Sequence, residues 1–273
     1  MAAGLDQIIA ATRRRVADAR RSTDLRQLER RAQEHVPRDF RRALATANRT
    51  RVAIIAELKM ASPSRGLIRA NFDPERLAQE LETAGAAALS VLTDEEFFQG
   101  SLDNLQRASA SAKLPCLRKD FIVDEFQLPE ARAHCADAVL LIVAVLSQTE
   151  LIALTKQSGA LGLDVLCEVH DEAELRRAVD AGCDLIGVNN RDLRSFKVDL
   201  QTAFRLAEKI PQDVICVAES GIDKGSDLAR LREAGYQAFL IGESLMKAEC
   251  PGEALRLLLS DAEHERSLLN TKR

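Results

Sequence analysis

The chain has 273 residues, of which 46% are hydrophobic and 29% charged, a composition that is ordinary for a folded domain and excludes disorder over most of the length. Its 38 Lys and Arg against 42 Asp and Glu give a formal net charge of −4, so no global positive field draws it to nucleic acid, although a local group of cations can hold a small anion. We expect one main domain, a small-molecule partner and no nucleic-acid partner.

The cysteines and the apolar runs indicate the compartment. The six cysteines form no C-x-x-C pair, and several lie in apolar runs, where Cys behaves as a small hydrophobe. The longest apolar run, residues 138–146, is far shorter than the roughly 20 residues of a membrane helix. The sequence has no H-E-x-x-H and no G-x-G-x-x-G after its first strand. We therefore expect reduced, buried thiols, a cytoplasmic protein without membrane association, no metal site and no cofactor.

Residues 1–50 have mostly helical character and carry arginine pairs such as Arg20-Arg21 and Arg41-Arg42. Arms that bind nucleic acid contain such pairs. Here acidic residues are interspersed among them, which is typical of a solvated helix face with local ion pairs. We predict that this segment forms helices that pack against the rest of the protein.

From residue 52 onwards a unit repeats: a short β-branched or Leu-rich run, a polar loop, an amphipathic helix and then, in three of the units, an Ala-Gly pair. Glycine at that position suits the left-handed turn that closes a helix, and strands that alternate with helices imply a parallel sheet. Eight strands favour a closed (β/α)8 barrel, the TIM barrel; an open doubly wound sheet is the alternative. The predicted strands are residues 52–58, 88–92, 115–118, 138–143, 163–168, 184–188, 214–218 and 238–241.

This pattern divides the chain into an N-terminal helical extension (1–50), a barrel (51–260) and a C-terminal tail (261–273). In a closed parallel barrel the carboxyl ends of all the strands meet at one rim, where the loops build the active site. Six of the predicted strands are followed by polar residues or glycine at that end. We therefore predict an enzyme whose site lies at the carboxyl-end rim.

Acids and bases end the first, third and fifth strands. The alternation of the first strand points Glu57 and Lys59 to the same side, the barrel interior, as a satisfied ion pair or as a catalytic pair. Lys119 ends the third strand beside Phe121, whose ring suits an aryl pocket; a plain surface charge is the alternative. Glu168 ends the fifth strand, where partial burial predicts a raised pKa and the role of general base.

The neighbouring loops supply further polar groups. The small-residue loop at 62–66 has hydroxyls, backbone amides and an arginine that suit a carboxylate or a phosphate. The sixth strand ends in Asn189 and is followed by Arg191, an amide and a guanidinium for a substrate hydroxyl or carboxylate. His170 lies beyond the fifth strand, and we expect it to cap a helix or to face solvent.

The last two strands end in small residues that suit a phosphate. Ser220 and Gly221 follow the seventh strand, and Gly242 and Glu243 follow the eighth. Small residues there let backbone N–H groups and a helix N-terminus approach a phosphate closely, as in many barrels. We predict a phosphorylated substrate. Glu243 is expected to contribute its backbone N–H and to turn its side chain away.

Taken in order, these motifs resemble the indole-3-glycerol phosphate synthase family of tryptophan biosynthesis, over about residues 5–260. Each motif alone is modest, but the whole series in this order is specific. The matching segments are Glu57-Leu58-Lys59-x-x-Ser62-Pro63-Ser64, Val91-Leu92-Thr93-Asp94 with Phe98-Gln99-Gly100-Ser101, Arg118-Lys119-Asp120-Phe121, Cys167-Glu168-Val169, Asn189-Asn190-Arg191-Asp192-Leu193, Glu219-Ser220-Gly221-Ile222 and Ile241-Gly242-Glu243-Ser244-Leu245-Met246.

The resemblance implies a (β/α)8 barrel that closes the indole ring of 1-(2-carboxyphenylamino)-1-deoxyribulose 5-phosphate without a cofactor, releasing carbon dioxide and water. It implies that Lys119 is the general acid for the ketone and Glu168 the general base or acid of the later dehydration. Lys59 is implied to contact the substrate carboxylate, and the division of proton transfer between the two lysines stays open. The site candidates are Lys119, Glu168, Lys59, Glu57 and Asn189 for catalysis; Ser62, Ser64, Phe98, Phe121, Arg191 and Glu219 for substrate binding; and Lys59, Ser220, Gly221, Gly242 and Glu243 for the phosphate.

Two other functions remain alternatives. One is a different phosphosugar barrel, such as a phosphoribosylanthranilate isomerase, which uses a Cys and Asp pair that these strand ends do not supply. The other is a non-catalytic barrel that binds an anionic ligand or a partner protein. The sequence does not reveal the oligomeric state, for which we slightly favour a monomer.

Overall fold

The computed structural model describes residues 4–271, with side chains up to residue 268. Eight parallel strands, labelled β1 to β8, close into a barrel in which each strand pairs with its neighbours along the chain and β8 pairs with β1. The closure confirms the predicted (β/α)8 barrel and contradicts the open sheet. The strands are Ala53–Leu58, Ala88–Leu92, Cys116–Lys119, Ala138–Ile142, Asp164–Val169, Leu185–Asn189, Ile215–Glu219 and Ala238–Ile241.

Helices precede the barrel and connect its strands. Their starts follow local chemistry: Asp73 accepts from backbone N–H groups in the first turn of a helix that begins with Pro74, and Asp171 caps the helix after β5 in the same way. A short hairpin, with the two-residue strands Ala61–Ser62 and Gly66–Leu67, follows β1. The helices, α1 to α13, are Leu5–Ser22, Leu25–Glu34, Phe40–Thr50, Pro74–Thr83, Glu95–Phe98, Leu102–Ser111, Gln127–Ala133, Gln148–Ala160, Glu172–Asp180, Gln201–Ala207, Gly225–Glu233, Glu243–Lys247 and Pro251–Thr271.

The strands separate two hydrophobic cores. Ile55 points into the barrel and joins an inner cluster, whereas its neighbours Ile54 and Ala56 join the outer cluster beneath the helices. All of β1 is buried because both of its faces are covered, which is typical of a parallel strand. The same alternation places Glu57 on the inner face, where the sequence predicts it.

The N-terminal helices pack against the barrel. Helix α3 contributes Phe40 and Leu44 to the inner cluster. It approaches from the amino ends of the strands, because the backbone N–H of Arg41 donates to Asp164 at the start of β5. Helix α1 lies at the opposite rim, where Arg15 pairs with Asp120 beyond the end of β3. The segment thus runs from one rim of the barrel to the other.

Other expectations have mixed outcomes. The glycines of the three Ala-Gly pairs, Gly85, Gly182 and Gly235, have positive φ as the left-handed turn requires. The six cysteines are free, but Cys250 is exposed and Cys135 half-buried, so the expectation of burial is wrong for these two, which lie outside the strands. The boundary predicted at residue 260 falls inside α13.

Candidate active site

A cavity of about 780 Å³ opens at the carboxyl ends of the strands. Ser62 and Ser64, in the hairpin after β1, do not line it, whereas Pro63 and Arg65 from the same loop do. The other candidates from the sequence all line it: Glu57, Lys59, Phe98, Lys119, Phe121, Glu168, Asn189, Arg191, Glu219, Ser220, Gly221, Gly242 and Glu243. The barrel thus brings together side chains that are up to 186 residues apart, from Glu57 to Glu243.

Glu57 and Lys59 form an ion pair at the end of β1, with 2.5 Å between Lys59 Nζ and Glu57 Oε1. Burial by itself raises the pKa of Glu57, but Lys59 and then Lys119 outweigh it and hold that pKa below its usual range. Gly242 lies against this pair, because a Cβ there would come within 2.5 Å of Glu57 Oε1. Glycine at the end of β8 therefore makes room for the carboxylate.

A lysine between two glutamates occupies the centre of the site. Lys119 Nζ lies 3.2 Å from Glu168 Oε2 and 3.8 Å from Glu219 Oε2, and all three side chains are almost fully buried. Burial lowers the pKa of Lys119, but the carboxylates of Glu168, Glu219 and Glu57 raise it above its ordinary value. Lys119 is therefore protonated near neutral pH, the form in which a general acid begins.

The two glutamates differ in protonation. Burial first, and then the nearby negative charge of Glu168, raise the pKa of Glu219 to about 8. The expectation of a raised pKa for Glu168 is wrong: burial acts in that direction, but Lys119 and His170 outweigh it and lower the pKa. Burial and the neighbouring charges thus shift the pKa values of these two carboxyls, at the ends of β5 and β7, in opposite directions.

His170 is the clearest error of the sequence interpretation. It neither caps a helix with its side chain nor faces open solvent, because its ring lies between Glu168 and Glu174, with Nε2 3.4 Å from Glu168 Oε1. The turn into α9 folds the ring back over the end of β5. His170 lies four residues before Glu174, a spacing at which side chains meet around one helical turn, and two residues after Glu168. This spacing was the signal from which the contacts of His170 could have been predicted.

Glycine geometry shapes the end of the cavity where the sequence predicts a phosphate. Ser220 has a φ of 66° and Gly221 a φ of 76°, both left-handed. A Cβ on Gly221 would overlap the Val198 side chain, so only glycine fits there. The turn after β7 therefore requires glycine at Gly221, because the neighbouring cavity wall leaves no room for a side chain there.

Three cations surround the Glu243 side chain at this end of the cavity. Its carboxylate pairs with Arg65 at 3.1 Å, Arg191 at 3.4 Å and Lys247 at 2.6 Å. Arg65 and Arg191 line the cavity themselves, so the side chain lies among cations of the site instead of turning away from it. The three cations compensate the negative charge of Glu243, which would otherwise repel a phosphate.

The loop after β6 is fixed by two asparagines. Asn189 Oδ1 accepts from the backbone N–H of Arg191 at 3.0 Å, and the Asn189 side chain also contributes to the lowered pKa of Glu168. The Asn190 side chain donates to the backbone oxygens of Glu219 and Ser220. Asn190 therefore ties the end of β6 to the end of β7 and has no place in the cavity lining.

The N-terminal helix is a part of the site that was not predicted. The rings of Phe98 and Phe121, both predicted for substrate binding, lie 6.3 Å apart in a tilted arrangement on the cavity wall. Leu5 and Ile8 of α1 also line the cavity, which makes the N-terminal helix part of the site. Nothing in the sequence pattern indicated this, because the spacing of apolar residues shows which face of α1 is buried but not against what.

Buried charges on both sides of Lys119 in the sequence hold the end of β3. Arg118 is 1% exposed and donates to Asp120 at 3.0 Å, and Asp120 also accepts from Thr93 at 2.7 Å. Arg15 reaches the same aspartate from α1 at 3.2 Å. Arg118 does not line the cavity, whereas Lys119 and Asp120 do, so the ion pair of Arg118 with Asp120 fixes the strand end from which Lys119 faces the cavity.

Between residues 4 and 271, no three His, Cys, Asp or Glu side chains are grouped in a way that holds a metal ion. Within the same range, none of the helices combines the length and the hydropathy that crossing a bilayer requires.

The fold and the cavity define a (β/α)8-barrel enzyme with acid and base groups at the carboxyl ends of its strands. A model of the indole-3-glycerol phosphate synthase family matches residues 5–258, and the chain belongs to this family. It is 56% identical to the indole-3-glycerol phosphate synthase of Koribacter versatilis over 259 residues, 95% of this chain and 100% of that protein. The corresponding protein of a Polaromonas species is 49% identical over 256 residues, 93% and 97% of the two chains.

Solved structures support the fold independently. A mandelate oxidase variant is 17% identical and aligns with a TM-score of 0.63, over 89% of this chain and 94% of that chain. At this identity the likeness shows the barrel fold alone.

Proposed function

We propose that this protein is an indole-3-glycerol phosphate synthase, a carboxy-lyase of tryptophan biosynthesis. It closes the indole ring of 1-(2-carboxyphenylamino)-1-deoxyribulose 5-phosphate and releases carbon dioxide and water. The observation that carries the proposal is Lys119 held 3.2 Å from Glu168 and 3.8 Å from Glu219, in the cavity of a chain that belongs to this family.

The first step forms a carbon–carbon bond. The aryl carbon that bears the carboxylate attacks the ketone carbon, and Lys119 gives its proton to the carbonyl oxygen. The carboxylate then leaves as carbon dioxide, and the electron pair of the broken bond restores the aromatic ring. A buried ammonium suits this step because it stabilises the developing oxyanion where water cannot screen it.

The second step is a dehydration. Glu168, already ionised, takes a proton from the carbon next to the nitrogen while the new hydroxyl leaves as water. The acid that protonates this hydroxyl is one of the two lysines, Lys119 or Lys59. Acid and base must act from different sides of the substrate, which residues on strands β1, β3 and β5 allow.

The remaining candidates bind and orient the substrate. The rings of Phe98 and Phe121 form an aryl pocket, and Lys59, held by Glu57, contacts the substrate carboxylate. Asn189 and Arg191 orient the ribulose chain, and Glu219 donates a hydrogen bond from its protonated carboxyl. Ser62 and Ser64 lie outside the cavity in the hairpin after β1, and they reach the carboxylate only if that hairpin moves inward.

The phosphate binds at the ends of β7 and β8. Backbone N–H groups of Ser220, Gly221, Gly242 and Glu243 face it, with Lys59 nearby. The left-handed backbone at Ser220 and Gly221 supports this, because successive N–H groups in such a turn form a concave anion site. We also propose that the protein acts in the cytoplasm, as a monomer, without cofactor or nucleic acid.

The test is turnover of the carboxyphenylamino-deoxyribulose phosphate, followed by indole fluorescence. The purified protein should produce a fluorescence rise together with one carbon dioxide per indole. Glu168→Gln, which removes the base but keeps the side-chain shape, is the matched control and should produce none. Isomerisation of a phosphoribosyl substrate without indole would favour the isomerase alternative, and binding without turnover would favour the non-catalytic barrel.

A further inference from the structure

His170 lies behind the proposed base and forms a chain of three groups with two carboxylates. Glu174 Oε2 accepts from the backbone N–H of His170 at 2.8 Å and from its ring Nδ1 at 3.0 Å. The other ring nitrogen, Nε2, lies 3.4 Å from Glu168 Oε1. Nε2 is buried and has no hydrogen bond of normal length with any described residue.

The contacts determine the charge of the ring. Nδ1 must carry a hydrogen, because its partner is a carboxylate oxygen that already accepts the backbone N–H. In the neutral ring that hydrogen would leave a lone pair on Nε2, pointed at the negative oxygen of Glu168. Only a doubly protonated imidazolium gives both nitrogens a donor role.

We propose that His170 is a positioning residue, an imidazolium that holds Glu168 ionised and keeps its Oε2 turned towards Lys119. The inference rests on the proposed function, because it concerns the base of that reaction. His170 lies outside the cavity lining and does not touch the space where the substrate binds.

The two oxygens of Glu168 thus have separate partners. Oε1 faces His170, and Oε2 faces Lys119 at 3.2 Å and the open cavity. His170 is thus a second cation beside Glu168, on the side away from the cavity. It fixes the carboxylate without occupying Oε2, the oxygen that takes the proton. Glu174 supports the arrangement from α9, since its charge keeps the proton on Nδ1.

The charged groups around His170 support a stable imidazolium. Glu168 from β5 and Glu174 from α9 face the ring directly, and burial opposes protonation. These two carboxylates outweigh burial, so the pKa of His170 is raised to about 10. Beyond Glu168 lie Lys119, a cation, and Glu219, whose pKa is raised to about 8.

The experiment uses His170→Gln and Glu174→Gln, with His264→Gln, an exposed histidine of α13, as the matched control. The readout is the pH profile of kcat/KM. His170→Gln should move the acidic limb, which reports protonation of Glu168, upwards by about one pH unit or more. Glu174→Gln should introduce a loss of activity at alkaline pH, where the unsupported imidazolium loses its proton. His264→Gln should leave the profile unchanged.

A purely structural role predicts lower kcat in His170→Gln with both limbs unmoved, and this result would overturn the proposal. A second measurement does not depend on activity. NMR of the ring nitrogens in labelled wild-type protein should show both protonated up to at least about pH 8, and a neutral ring at pH 7 would also overturn it. If the wild-type protein makes no indole, the proposed function fails, while the NMR spectrum still reports the charge of the ring.

Discussion

A carboxyl is buried at each rim of the barrel, but the two carboxyls differ in the hydrogen bonds that they accept. At the amino-end rim, Asp137 is fully buried and accepts the backbone N–H groups of Arg38 and Cys116, both at 2.6 Å, and the side chains of Arg38 and His35 at 3.0 Å. At the carboxyl-end rim, Glu219 is 1% exposed, and its Oε1 has no hydrogen-bond partner among the described residues.

The difference separates a structural acid from one that we propose to be functional. Asp137 has two donors on each oxygen, so its capacity to accept is used and nothing remains for a ligand. It ties the segment before α3 to the starts of β3 and β4. Glu219 keeps unused accepting capacity at the buried Oε1, and this costs stability. Barrels commonly show this division, with stability at the amino-end rim and chemistry at the other.

The largest expected effect is at the amino-end rim. Asp137→Ala leaves Arg38 and two buried backbone N–H groups without their acceptor, and it should lower the free energy of unfolding by about 3–5 kcal/mol. Urea unfolding measures the loss, and kcat per folded molecule should be unchanged. Asp137→Asn, which keeps one acceptor, should cost less. A loss below about 1 kcal/mol in Asp137→Ala would show that the acid is not the anchor that its contacts indicate.

The corresponding change at the carboxyl-end rim should have the opposite signature. Lys119→Ala should lower kcat by at least about 10²-fold, because the general acid is gone. The fold should be kept, since Glu168 retains His170 and Glu219 is already neutral. Steady-state kinetics and urea unfolding on the same samples decide the point. Near-normal turnover would remove Lys119 from its proposed role.

Glu219 should affect stability through pH. Its pKa rises from 4.5 to about 8 on folding, so the native state holds a proton that the unfolded state has lost. Stability therefore falls as pH rises between these values, by at most about 1.4 kcal/mol per pH unit. Glu219→Gln, which mimics the protonated form, should lack this part of the pH dependence, so the stability difference between the wild type and the variant should change across that window. Equal pH dependence in both proteins would show that Glu219 is ionised in the native state.

The smallest effect is expected at His35, where the pH dependence has a different origin. Hydrogen bonding to Asp137 raises the pKa of His35 from 6.5 to about 9. Its contribution to stability is therefore complete below pH 6.5 and is lost as pH rises towards 9. The stability difference between the wild type and His35→Gln should shrink across this window in thermal unfolding at a series of pH values. A constant difference would mean that the ring acts through packing alone.

Much of this could be predicted from the sequence. The strand positions are correct within about two residues, because β-branched runs bounded by Ala-Gly and polar loops are strong local signals. The side to which Glu57 points follows from the alternation of one strand. That Lys119 and Glu168 lie at the same rim follows from the shared direction of parallel strands.

The errors concern contacts between segments distant in the sequence, or charge balances that depend on such contacts. Burial alone predicts a raised pKa for Glu168, but the combined effect of Lys119 and His170 lowers that pKa instead. Ser64 looked well placed beside β1, but the path of its hairpin keeps it out of the cavity. The inclusion of Leu5 in the lining depends on where α1 docks.

The sequence by itself determined the barrel, its family and the identity of the acids and bases at the rim, because these follow from local periodicity and from the order of the motifs along the chain. Only the tertiary structure decided in which direction the pKa of each buried carboxyl shifts, and which histidine lies against Glu168. The reason is physical: protonation depends on distances of 3–4 Å between side chains from different strands, such as the 3.2 Å from Lys119 to Glu168 and the 3.4 Å from His170 to Glu168. No local pattern contains those distances.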